Sequence, residues 1–384
     1  MTNKIYFTCL HLNHGGVEMA ISLLSNALCK YGFDVEILCT YNFGEPAYQI
    51  DPKVDITYLT EVLPNREEFY NALKSKNPFA IIKEGVRSLQ VLYQKKQCLK
   101  RAIMQIKDGT VISTRHEDTL LLSKYGSSNL LKIAQLHHDH LFDEKLFHDF
   151  KHNYHTIDYF VLLTDSLRDE ISELMKPYNT NTKCITIPNF LPFERGNTLV
   201  PKQKQVVAVG RLHTDKAFHR LIDAWSLTHK VHPDWILKII GDGPLKSELH
   251  EQVSSLGLND SIIFTGSLSH EQVMEEMAHS SVYAMTSISE AFPFVLLEAM
   301  YNYLPIVAYD VRVGPPALVK HDETGYLVPD NDAKAFSNAL CKLMENPELI
   351  ATFQRNAHEF VQNFSDDSVV KLWLKILSNK RDTP

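Results

Sequence analysis

Short runs of β-branched residues alternate with amphipathic stretches from one end of this chain to the other, and no other feature restricts its fold so tightly. Parallel strands joined by crossover helices produce that alternation. Strands are expected near Ile5–Leu10, Val35–Cys39, Ile56–Leu59, Val111–Thr114, Ile133–Leu136, Tyr159–Leu163 and Cys184–Ile187. A second series falls near Val206–Val209, Leu237–Ile240, Ile262–Thr265, Val282–Met285, Ile306–Ala308 and Tyr326–Val328. Each series suffices for its own doubly wound sheet, so the fold class is α/β with two Rossmann-like domains, and 384 residues at 44% hydrophobic content can fill two such cores. Pro188-Asn189-Phe190 and Pro201-Lys202-Gln203-Lys204 punctuate a polar stretch that places the linker at about 190–203. The first domain is thus expected at 1–190 and the second at 203–364. A closing amphipathic stretch, Ser365 to Asn379, offers one apolar face made by Val369, Val370, Leu372, Trp373, Ile376 and Leu377.

Several classes are excluded. Runs such as Ile236–Ile240 stop well short of the roughly 20 apolar residues a bilayer-spanning helix needs. Met1 to Leu10 lacks the basic stretch and apolar run of a signal peptide, so a cytoplasmic protein is expected. A net charge of −7 argues against nucleic acid as a partner. The cysteines are scattered without a C-x-x-C pair, which favours free thiols over a zinc site or a disulfide frame.

Chemistry-bearing residues gather at glycine turns and helix starts. After the first strand, His14-Gly15-Gly16-Val17-Glu18 leads into a helical pattern, and amides at such a turn can approach a phosphate. The full G-x-G-x-x-G fingerprint is absent, which counts against an NAD enzyme, and a plain turn is the alternative. In the second half, Gly210-Arg211-Leu212-His213-Thr214-Asp215-Lys216 follows a strand and sets Arg211 and Lys216 at the carboxyl edge of a parallel sheet. Two cations there can grip a diphosphate or be ordinary surface charges. Gly241-Asp242-Gly243-Pro244 makes a turn on the same edge. Glu290 and Glu298 flank a strand-to-helix junction, with Pro293 fitting the helix's first turn and the Phe294 and Val295 amides free to meet a phosphate. The two carboxylates would then accept bonds from neutral hydroxyls, unless they are simply solvated charges.

Taken in order, Gly15–Gly16, V-G-R-L-x-x-x-K ending at Lys216, G-D-G-P, F-T-G at Phe264–Gly266, E-x7-E from Glu290 to Glu298 and T-G-Y-L-V-P at Thr324–Pro329 resemble glycosyltransferase family 4. The resemblance implies a GT-B fold, two Rossmann-like domains facing across a cleft. It further implies transfer of a sugar from a nucleotide diphosphate with retention of anomeric configuration, no cofactor and no required metal. Carried across residue by residue, it puts Arg211 and Lys216 on the donor diphosphate, Glu298 on the ribose and Glu290 on the donor sugar. Gly15, Gly16, Gly241, Phe292 and the Phe294–Val295 amides join the donor-binding set, and helix 365–384 would cross back to the first domain.

This chain departs from the pattern at Lys216-Ala217 and Glu290-Ala291-Phe292, where the family usually has glycine in place of alanine; alanine gives up positive-φ freedom. Asp310-Val311-Arg312-Val313-Gly314-Pro315-Pro316 is similar to a D-x-x-x-G-P form among cell-wall and capsule glycosyltransferases. His137-His138-Asp139-His140 follows a short strand. Its spacing fits zinc poorly, since neighbours on an extended segment point to opposite sides. The resemblance places a catalytic histidine there, at His137 or, in the other register, His140.

Residues 83–107 carry Lys83, Arg87, Lys95, Lys96, Lys100, Arg101 and Lys107 against Glu84 alone, a net +6 in a chain of net −7. With Leu89, Val91, Leu92, Leu99, Ile103, Met104 and Ile106 as an apolar face, this segment suits either an anionic membrane or polymer, or the protein's own core. The leading expectation is a retaining hexosyltransferase using a UDP-sugar and a cell-surface glycan, lipid-linked or wall-polymer acceptor. The competitors are a non-catalytic nucleotide-sugar-binding partner of an active enzyme, and a GT-B isomerase or phosphorylase.

Overall fold

The structure, a computed structural model, describes residues 3–193 and 199–378; part of the expected linker and Asn379 lie outside the described residues. The chain divides into two compact units, one of Met1–Ile187 with Val370–Pro384 and one of Pro188–Val369.

In chain order the strands are β1 (Lys4–Cys9), β2 (Asp34–Tyr41), β3 (Asp55–Thr60), β4 (Thr110–Ser113), β5 (Leu131–Leu136), β6 (Tyr159–Leu162) and β7 (Lys183–Thr186) in the first unit. The second unit holds β8 (Gln205–Val209), β9 (Ile236–Ile240), β10 (Ile262–Gly266), β11 (Val282–Met285), β12 (Ile306–Asp310) and β13 (Gly325–Pro329). All thirteen expected strands form, with ends moved by two residues at most. They pair in the orders β3-β2-β1-β4-β5-β6-β7 and β10-β9-β8-β11-β12-β13. Every pairing is parallel, including β1 with β2 (Phe7 opposite Ile37), β8 with β9 (Val207 opposite Lys238) and β8 with β11 (Val206 opposite Val282). The fold class is therefore two Rossmann-like parallel-sheet domains.

Parallel strands are covered by helices on both faces, so a central strand is apolar throughout while an edge strand is not. Accordingly all six residues of β5 are buried, whereas β3 and β7 at the sheet edges have no buried residue. In the second unit the core forms around Trp225, fully buried, whose indole N–H donates to Ser261 Oγ at 3.2 Å. The helices of the first unit needed below are α1 (Gly16–Lys30), α2 (Arg66–Ser75), α3 (Pro78–Gln105) and α4 (His116–Tyr125). At the far end of the chain, helix Asp366–Ser378 runs from the second unit into the first, where Lys371, Leu374 and Lys375 lie beside Asn3, Tyr31 and Phe33.

Candidate active site

In a doubly wound sheet, ligands bind beyond the carboxyl ends of the strands where the strand order reverses. In the second unit that place lies between β8 and β11, since β8 has β9 on one side and β11 on the other. The loop after β8 carries Arg211 and Lys216, and the loop after β11 carries Glu290. The loops are stitched together: Thr286 Oγ1 donates to the carbonyls of Lys216 and Ala217 at 3.2 and 3.3 Å, and Ile288 N–H donates to Asp215 O at 2.8 Å.

This stitching brings Lys216 Nζ onto the Glu290 carboxylate, to which it donates a hydrogen bond. Asp215, which the sequence reading passed over, sits among the same cations. Its carboxylate lies 3.9 Å from Arg211 Nη2, 4.0 Å from Lys216 Nζ and 2.5 Å from His213 Nδ1. Burial pushes Asp215 up, but the His213 hydrogen bond and the Lys216 and Arg211 charges outweigh it and hold the carboxyl below its usual range. Arg211 is 76% exposed while the Glu290 side chain is 13% exposed, so the guanidinium is open to an incoming ligand and the carboxylate is fixed.

Two close approaches shape these loops. A Cβ on Gly314 would stand 2.6 Å from Glu290 O and 2.8 Å from Glu290 Cβ, so the Val313–Pro315 turn seats the glutamate directly. A Cβ on Gly241 would be 1.9 Å from Gly210 O; that glycine joins the β8 and β9 loops. Of the two glycine-to-alanine departures, Ala217 keeps a left-handed backbone at φ 47 and is fully buried, whereas Ala291 takes no positive φ. The first exchange therefore stores backbone strain and the second does not.

Helix Phe294–Tyr301 begins one residue later than expected: Pro293 is its N-cap, with ψ 113, so Phe294 and Val295 are the first two helical residues. Their amides precede any intrahelical acceptor. Glu298, buried on this helix, accepts from or shares a proton with His270 Nε2 at 2.9 Å. The Glu298 hydrogen bond raises the His270 pKa above its ordinary value. Both glutamates act on Tyr283: burial first, then the Glu290 and Glu298 charges, keep its phenol protonated, and its OH lies 3.3 Å from Val209 O at the end of β8. Phe292 is buried edge-on against Phe364, 5.5 Å between ring centres. Arg211, Lys216 and Glu290 thus meet at the switch point around Asp215 and the Lys216–Glu290 pair, while Glu298 pairs with His270.

The first unit gives a different picture at the glycine turn. Gly15 has an extended φ of 171, and a Cβ there would lie 2.1 Å from Glu18 Oε2, the movable end of a side chain, so neither backbone nor space demands glycine. The close approach that the turn permits is taken by the chain's own carboxylate, itself 3.5 Å from His11 Nδ1. A phosphate expected at Gly15–Gly16 would meet that negative charge.

At the end of β5 the histidines separate. His140 is buried, accepting from Phe142 N–H through Nδ1 at 3.1 Å and facing Glu170 through Nε2 at 3.3 Å, so both ring nitrogens are engaged. His137 Nε2 is buried without a hydrogen-bond partner, and burial, with the His138 charge, pushes its pKa down to about 3, which keeps the ring neutral. Among the described residues, no group of three or more His, Cys, Asp or Glu is placed to hold a metal ion.

With that geometry in view, comparison with known proteins adds two kinds of likeness. Residues 192–360, nearly the whole second unit, match the family described as Glycosyl transferases group 1. Over the full length, the chain is 29% identical to the amylovoran biosynthesis glycosyltransferase AmsD of Erwinia amylovora, covering 95% of this chain and 97% of that one. It is also 29% identical to the exopolysaccharide phosphotransferase SCO2592 of Streptomyces coelicolor, covering 96% of this chain but only 40% of that relative's length. Among solved structures, S. aureus TarM in complex with UDP, fondaparinux and alpha-GlcNAc-glycerol superposes with a TM-score of 0.77 at 14% identity, covering 98% of this chain and all of that one. The architecture is GT-B.

Proposed function

We propose that this chain is a retaining, metal-independent glycosyltransferase of the family 4 type. In this reading it moves a hexose or N-acetylhexosamine from a UDP-sugar to a cell-surface glycan, lipid-linked or wall-polymer acceptor. The carrying observation is the meeting of Arg211, Lys216 and Glu290 at the switch point of the second sheet. The part AmsD takes in amylovoran biosynthesis supports the acceptor class, and the UDP bound to TarM supports the donor class.

In the reaction, the bond from the sugar's anomeric carbon to the terminal phosphate oxygen breaks and its electron pair leaves with the diphosphate. The acceptor hydroxyl oxygen bonds to that carbon from the face just vacated and passes its proton to an oxygen of the departing diphosphate. Arg211 and Lys216 offset the charge growing on the departing diphosphate. An ammonium has three donors, so the bond from Lys216 to Glu290 leaves two for phosphate oxygens. The Phe294 and Val295 amides add helix-start donors. Glu290 accepts hydroxyls of the donor sugar, and Glu298, oriented by His270, accepts those of the ribose. His137, neutral and with Nε2 uncommitted, suits a hydrogen bond to a sugar hydroxyl better than His140, whose nitrogens are engaged.

A thermal-shift screen over UDP-, GDP- and ADP-sugars tests the donor, because a ligand that binds only the native state raises apparent stability. Lys216→Ala and Glu290→Ala should each lower transfer by about 10²–10³-fold, the usual cost of removing a preorganised group. Transfer unchanged in Glu290→Ala would overturn the role given to Glu290, and a wild type that binds but never turns over a sugar nucleotide would establish a non-catalytic binding partner.

A further inference from the structure

Two apolar faces run along α3, and only one is used. Val91, Leu99 and Ile103 are buried in the first unit. On the opposite side Phe79, Ile82, Val86, Leu89 and Tyr93 recur at intervals of three and four residues and stand from half to more than four-fifths exposed. That spacing lines one side of a helix, here over about 21 Å of its length. Tyr70 and Leu73 of α2 are exposed as well. The apolar set expected from the sequence is therefore split: Leu89, Leu92 and Met104 face out, while Val91, Leu99, Ile103 and Ile106 belong to the core.

The exposed face is held firmly. Asn65, the N-cap of α2, donates through Nδ2 to Glu84 O and Oε2 at 2.9 and 2.8 Å, and Ser88 Oγ donates to Asn65 Oδ1 at 2.9 Å. Beyond Tyr93 the same helical spacing turns basic, at Lys96 and Lys100, within the segment of net +6. Beside this basic half, a groove of about 330 Å³ opens between α3 and α4. Leu92, Leu99 and Tyr125 line it, with Lys95, Lys96 and Lys124 among its other walls beside the carboxylates of Glu117 and Asp118, Glu117 lying 3.5 Å from Lys95 Nζ.

We propose that the Phe79–Tyr93 ridge of α3, with the cations that continue it, is a peripheral docking surface for an anionic phospholipid bilayer. A contiguous exposed apolar ridge on a folded domain marks an interaction surface. Its charge selects the partner. A second copy seated on the ridge would set the cations that continue it, Lys96 and Lys100, near their own kind, and like charges brought together oppose association. A bilayer offers acyl chains for the bulky side chains and phosphates for the lysines in one surface. Among the described residues no helix is long and apolar enough to cross a membrane, so the contact proposed is one of surface.

Vesicle flotation of the full chain tests this independently of the transfer reading, which donor thermal shifts report. The protein should float with phosphatidylcholine vesicles containing about one-third phosphatidylglycerol, and at least roughly 10-fold less with phosphatidylcholine alone or in high salt. Ile82→Ser with Leu89→Ser, and separately Lys83→Gln with Lys96→Gln and Lys100→Gln, should each lower flotation by roughly 10-fold or more while melting temperature and donor shifts stay at wild-type values. Absence of flotation with anionic vesicles, or flotation unchanged in the ridge variant, overturns the proposal. So does a dimer in sedimentation velocity that the ridge variant converts to monomer, since the ridge would then be covered by a second copy.

Discussion

Glu290 owes its place to a residue with no side chain. At Gly314 the backbone stands at φ 87, and an added methyl would collide with the glutamate's carbonyl oxygen and Cβ. Gly314→Ala therefore carries two penalties, the left-handed backbone at about 1–2 kcal/mol and crowding at about 1–3 kcal/mol. Gly257 supplies the control, because its φ is 67 but nothing lies within 4 Å of its added Cβ. Gly257→Ala should lower stability in urea melts by about 1–2 kcal/mol and leave sugar transfer intact. Gly314→Ala should lower stability further and slow transfer by at least roughly 10-fold, as misplaced catalytic groups do. Equal effects of the two substitutions on both measurements would mean that Gly314 does not seat Glu290.

Among elements, the strands were legible because a parallel strand covered on both faces is written as an unbroken apolar run, as in Val206–Val209. The partners of the charged residues were not. Lys216 and Glu290 are 74 positions apart and meet because β8 and β11 are neighbours, a fact of strand order that no local spacing encodes. His270 was hidden in the same way. The sequence around it reads as a helix start, which it is, with a Ser269–Gln272 capping box. Its tie to Glu298 appears only once helices His270–His279 and Phe294–Tyr301 are folded onto one sheet. Periodicity likewise gave α3 apolar faces without saying which one packs. The His270 tie predicts a pH effect. Glu298 raises its folded pKa above the unfolded value, so the stabilisation is complete below about pH 6.5 and is lost as pH rises through the folded pKa. The ring is 61% exposed and solvent screens the pair, so the contribution is about 0.5 kcal/mol or less. The melting temperature of wild type should fall slightly more between pH 6 and pH 8.5 than that of His270→Gln, and high salt should close the gap. An identical pH dependence in the two proteins would show that the hydrogen bond contributes nothing.

For the molecule as a whole, buried Asp118 and half-buried His137, whose Nε2 is out of solvent, pull the acid stability of the first unit in opposite directions. Asp118, which accepts from Thr8 Oγ1 at 3.1 Å, is pushed up to about 6 by burial, while His137 is pushed down to about 3 by the same cause. Between pH 6 and pH 4 the folded state holds a proton on Asp118 that the unfolded chain has released, so lowering pH stabilises the fold there. Over the same range the unfolded chain protonates His137 and the folded state does not, so lowering pH destabilises it. Each slope is about 1.4 kcal/mol per pH unit, and together they nearly cancel. Asp118→Asn keeps an acceptor for Thr8 and removes only the titration. It should stabilise the first unit by about 3 kcal/mol at pH 7 and expose the His137 slope, so that stability falls steadily from about pH 6.5 downward. His137→Asn should do the reverse and make the first unit more stable at pH 4.5 than at pH 6, relative to wild type. Urea melts across pH for the three proteins decide it: parallel curves would mean that neither group is buried as the fold places it.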